Sequence, residues 1–135
     1  MLWGVLLLLG GSGCSRPEPL SITGPEVSQY VLQTIDGRGL PYQIDQSPDG
    51  TQTTVVNDMV LTLVSDGTWS TVGHETVTTN GTPTQLVVRG SGAYVTGETG
   101  TAFHAADGAV VWTGESLSPG YVLTDTQGRR YLFGR

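Results

Sequence analysis

The side chains best suited to chemistry in this 135-residue chain are two histidines, one cysteine and twelve carboxylates, and their spacing argues against most reactions. A zinc site takes three or four N, S or O ligands. His74-Glu75 lacks the second histidine four positions along that a helical metal motif needs, and His104 stands alone. Asp45, Ser47 and Asp49 followed by Gly50 resemble the start of a calcium loop, but the twelfth position, which must be acidic, is Val56. That stretch reads as a Pro-Asp-Gly turn. Gly90-Ser91-Gly92 has neither the nucleophile-elbow spacing nor an assignable base. All six basic residues are arginine, so lysine-dependent nucleophilic mechanisms are excluded. Asp36, Asp49, Asp58, Asp66, Asp107 and Asp125 occur where turns favour Asp, which leaves few carboxylates for a hydrolytic pair. Asn80-Gly-Thr82 reads as a hairpin tip. The expectation is a non-enzymatic protein with no catalytic residue, no metal and no cofactor.

Composition narrows the partners. A formal net charge of −6 repels a phosphate backbone, and only Arg129-Arg130 forms a local exception, so no nucleic-acid partner is expected. Charged residues make up 13% of the chain, against about 25% in a typical domain. Thr, Val and Gly are abundant and no segment after residue 15 carries a helical period, which favours strands and tight turns.

The N-terminus has a different character. Residues 1–10 form an apolar run of about ten, half of a bilayer span and the length of a signal-peptide core. Gly11-Ser12-Gly13 then lead into the sole cysteine, Cys14. This arrangement resembles the lipobox of bacterial lipoproteins, although Gly11 stands where that family usually has Leu and no basic residue precedes the apolar run. The resemblance implies cleavage after Gly13 and lipid attachment at Cys14. Several acyl chains, at about 0.8 kcal/mol per buried CH₂, would hold the chain at a membrane without a spanning helix. Ser15 resembles the residue that directs such proteins to the outer membrane, on its periplasmic or surface face. A plain secretory signal or an ordinary N-terminal anchor are the alternatives. The implied division is a signal peptide over 1–13, a lipidated Cys and Pro-rich tether over 14–28, and a folded domain over 29–135.

Within that domain, short apolar stretches alternate with turn signals. Asp-Gly or Asn-Gly pairs at 36–37, 49–50, 66–67, 80–81 and 107–108 mark hairpins, because those turns need φ > 0. Tight hairpins make sequential antiparallel neighbours, and the lack of a helical crossover excludes a parallel sheet. The predicted fold is all-β: one antiparallel up-and-down meander of about eight strands closing into a small barrel, with a two-sheet sandwich as the alternative. Thr51 to Val56 and Met59 to Val64 read as separate strands broken at Asn57-Asp58, and Gly73 and Gly90-Ser91-Gly92 read as bulges or coiling points. Alternation assigns Tyr30, Leu32, Leu61, Leu63, Trp69, Leu86, Val88, Tyr94, Phe103, Trp112, Leu123, Tyr131 and Phe133 to the inner face.

Tyr30-Val-Leu32, Gly37-Arg-Gly-Leu40-Pro41, Leu61-Thr-Leu63, Asp66-Gly-Thr68, Gly92-Ala-Tyr94 and the closing Tyr131-Leu-Phe-Gly-Arg135 resemble the pattern of small bacterial lipocalin-like lipoproteins. The first strand lacks the Gly-x-Trp signature of true lipocalins. The resemblance implies a lipid-anchored envelope protein. Trp69, Tyr94, Phe103, Trp112 and Tyr131 are the residues that would line a small apolar ligand, or else fill the barrel as core. A solid barrel would instead make the domain a structural or interaction module, with another envelope protein as its partner.

Overall fold

A computed structural model describes residues 24–135. Cys14, the signal-peptide assignment over 1–13 and most of the proposed tether lie outside the described residues. The described chain is all-β. Its strands are β1 (Val27–Ile35), β2 (Arg38–Gly39), β3 (Tyr42–Gln46), β4 (Gln52–Val64), β5 (Thr68–Thr79), β6 (Thr82–Gly97), β7 (Gly100–Ala105), β8 (Val110–Leu117), β9 (Gly120–Asp125) and β10 (Arg130–Gly134).

Strands β4 to β10 form an antiparallel meander, and β1 closes it by pairing with β10 on one side and β4 on the other. The result is the expected eight-stranded closed barrel, with β2 and β3 outside the ring. The turn dipeptides do the folding work assigned to them. Asp36 and Gly37, and Asn80 and Gly81, all have positive φ, as a two-residue hairpin turn requires. At Gly50, Gly67 and Gly108 only the glycine is left-handed, which suits longer loops. Asp49, Asp66, Asp107 and Asp125 each accept a backbone N–H two residues on, and Asp36 accepts the Arg130 N–H at 2.9 Å.

Three local expectations are corrected. Asn57-Asp58 is no turn: β4 runs through it with a bulge between Val56 and Asp58 against β5. Asp58 meets His74 across the pair at 2.7 Å, with both side chains more than half exposed. The glycines of β5 and β6 are not bulges either, since the β5–β6 register runs unbroken from Thr68↔Ala93 to Thr79↔Thr82. They make room instead. A Cβ on Gly92 would overlap the His104 carbonyl oxygen of β7 and come within 2.9 Å of the Trp69 indole nitrogen. Finally, Leu86 and Val88 are 42% and 38% exposed and stand outside the core. Their strand outruns its neighbour: β7 pairs with β6 only over Gly92–Gly97, so Thr82–Ser91 project past the ring. Alternation reports which face a residue takes, not whether a partner layer covers it.

The barrel interior is filled. Phe103, Phe133, Ile35, Leu61, Leu123 and Val56 are fully buried. Phe103 sits among three rings, with centroids 6.0 Å from Trp69, 5.8 Å from Tyr94 and 6.2 Å from Tyr121. These are ordinary aromatic packing distances. A Cβ on Gly114 would lie 2.8–2.9 Å from Leu123, Tyr121 and Phe103, so even a methyl group lacks room there.

Candidate functional site

The filled interior ends in an open cleft at the barrel mouth on the side of the β5–β6, β7–β8 and β9–β10 turns. Its volume is about 420 Å³, and its walls come from β3 (Ile44), β4 (Met59), β5 (Trp69, Glu75), β6 (Val88), β8 (Val111, Trp112) and β10 (Tyr131). This lies in the range of small-molecule sites, about 300–1,000 Å³.

Each wall has a local cause. Trp69 lies across the glycines of β6, and its indole N–H donates to the His104 carbonyl at 3.1 Å, which fixes the ring between floor and core. Trp112 meets Tyr131 edge to face, at 4.8 Å and 84°. The Tyr131 hydroxyl donates to Asp125 Oδ2 at 3.1 Å. Burial pushes the Tyr131 phenol up to about 12, with the Arg129 guanidinium partly opposing the rise. Asp125 is saturated: its Oδ1 accepts the N–H groups of Gln127 and Arg129 at 2.9 and 3.0 Å, and the Arg129 guanidinium lies 3.5 Å from Oδ2.

Glu75 differs. It is paired with Val56 on one side and Leu86 on the other, and it shares the inward phase of Trp69, Thr71 and Gly73. Burial raises its carboxyl above the usual range, and no other cause acts on it. Among the described residues no hydrogen bond or ion pair reaches that carboxylate. Arg89, which also borders the cleft, pairs with Val72 one position out of phase with Glu75, and no ion pair joins the two.

The five residues singled out as ligand-lining therefore separate by height along the barrel. Trp69, Trp112 and Tyr131 converge on the cleft. Phe103 is wholly internal, and Tyr94 turns away to donate its hydroxyl to the Val64 carbonyl at 2.7 Å. Ile44, Met59 and Glu75 join the cleft although the strand pattern alone does not single them out as ligand-lining. The signal for Glu75 was present, since it follows Trp69 at even spacing along one strand. In the Asp45–Gly50 stretch, Asp49 accepts hydrogen bonds from the Thr51 hydroxyl and N–H and the Ser47 hydroxyl, which hold its carboxyl below the usual range. Among the described residues no cluster of three or more His, Cys, Asp or Glu forms.

No protein-family model matches the chain, and neither curated proteins nor solved structures provide a match.

Proposed function

We propose that this chain is a lipid-anchored, non-enzymatic cell-envelope protein. In this reading the barrel is a solid scaffold and the mouth cleft takes a small apolar ligand. The observation that supports it is the convergence of Trp69, Trp112 and Tyr131 with Ile44, Met59 and Val88 on one open cleft above a filled core. Attachment through Cys14 would hold that cleft near a membrane, a natural source of apolar molecules. Binding is tested with N-phenylnaphthylamine, a neutral apolar probe, on the full chain reconstituted in nanodiscs with empty nanodiscs as blank. Saturable binding that Trp112→Ala weakens about tenfold supports the reading; unsaturable signal, or equal binding by the variant, overturns it. Mass spectrometry of the mature N-terminus tests the anchor: an acylated Cys14 supports it and an unmodified one refutes it.

A second reading, an envelope interaction module, draws on the projecting part of β6. The Asn80-Gly81 turn makes Thr79–Thr82 a hydrogen-bonded pair, so Gln85, Val87 and Arg89 direct their N–H and C=O groups to the unpaired side. Pro83, on the same side, has no N–H to offer. An extended segment of a partner protein could add a strand at Gln85–Arg89. Val87→Pro would remove the central donor without touching the β5–β6 ladder. A discrete cross-linked species in envelope preparations that Val87→Pro abolishes supports this reading, and monomer alone argues against it.

A further inference from the structure

We propose that the mouth cleft selects apolar cations, an alkyl or aryl group carrying an ammonium, with Glu75 as counter-ion and the Trp112 ring as the apolar wall. This rests on the cleft being a binding site and specifies what it binds.

The charges at the cleft are unbalanced. Around Glu75 the sheet face is apolar: Val56 and Leu86 flank it across the strands, and Met59, Ile44 and Val88 complete the surface. A carboxylate in such surroundings is stable when paired, and it is costly when left alone. The other charged groups at the cleft do not pair with it. Asp125 is an acid already held by Arg129, Tyr131 and two backbone donors. Arg89 also borders the cleft, but it is one position out of phase with Glu75 along the β5–β6 ladder and no ion pair joins the two. Asp58 and His74 occupy each other on the outside of the same sheet. Among the described residues no protein cation pairs with Glu75, and an apolar cation would supply that partner. Its charge would meet the Glu75 carboxylate, its apolar part the methionine and isoleucine, and its ammonium methylenes the ring faces that attract cations. An anionic ligand would meet a like charge, and a neutral one would leave Glu75 desolvated and unpaired.

The test compares 4-phenylbutylammonium with 4-phenylbutanol, which share an apolar part, by calorimetric titration of the full chain in nanodiscs at pH 7 against empty nanodiscs. Wild type should bind the ammonium about tenfold more tightly, the worth of one partly desolvated charge pair. Glu75→Gln should abolish that preference while alcohol binding stays within about twofold, and Glu75→Asp should restore part of it. Equal binding of both compounds by wild type, or a preference that survives Glu75→Gln, overturns the inference and leaves the apolar-cleft reading standing. Failure of both compounds to bind overturns both. Unchanged circular dichroism of Glu75→Gln confirms that the comparison is made between folded proteins.

Discussion

Truncating Phe103 to Ala separates a packed scaffold from a hollow ligand barrel. Phe103 is wholly buried and touches the rings of Trp69, Tyr94 and Tyr121. Losing the transfer free energy of the ring costs about 2 kcal/mol. The void left behind, about 100 Å³, adds up to about 2.4 kcal/mol at ~24 cal/mol per Å³ if the walls hold still. Partial relaxation lowers the second contribution, and loss of the ring–ring geometry raises the sum, so about 4 kcal/mol is expected. For a domain of this size that is a fall in Tm of about 15 °C. Trp112→Ala at the rim is the control: its side chain is half-buried and leaves no closed void, so about 2 kcal/mol is expected. Guanidinium unfolding followed by near-ultraviolet circular dichroism reads both. A loss below about 1.5 kcal/mol for Phe103→Ala would refute the reasoning, because it would mean the interior already holds empty space.

Other outcomes follow from single contacts. Gly92→Ala should cost about 3 kcal/mol or more, because its Cβ overlaps the His104 carbonyl, whereas Gly97→Ala, with its nearest atom at 3.8 Å, should cost under about 1 kcal/mol; denaturation midpoints check both. Glu75→Gln should raise stability at pH 7 and leave it unchanged near pH 3. Its folded-state carboxyl is raised, so ionisation penalises the folded chain only once pH passes the unfolded value. A midpoint that drops at pH 7 would reveal a cationic partner for Glu75. Tyr131 titrates near 12 when folded and near 10 when unfolded, so its neutral form stabilises the fold fully below about pH 10. Up to about 2 kcal/mol should disappear as pH rises from 10 to 12, and Tyr131→Phe should flatten that slope.

Most of the architecture was legible because it is local. Asp36-Gly37 and Asn80-Gly81 carry their turn type in two residues, and the left-handed φ at both positions is what those residues tolerate. Asn57-Asp58 misled for a related reason: the same residue types serve turns and bulges, and only the partner strand decides which forms. Leu86 and Val88 misled differently. Alternation puts them on the inner face, but β7 stops beside Gly92 and no layer of the described residues covers them. The candidate site was half legible. Period two placed Trp69, Phe103 and Trp112 on the inner face. It could not rank them by height, because height depends on the stagger fixed where β1 meets β4.

That seam has a kinetic consequence. Leu32 pairs with Phe133 near the far end of the sequence, while Tyr30 pairs with Leu61. The first strand is thus a keystone gripped by neighbours from distant parts of the chain, and neither grip can form by local zippering. The hairpins between β4 and β10 can assemble one after another, but the ring locks only in a final, entropically expensive encounter. Folding should accordingly run on the millisecond-to-second scale of all-β domains, with β1 as much a latch as a wall.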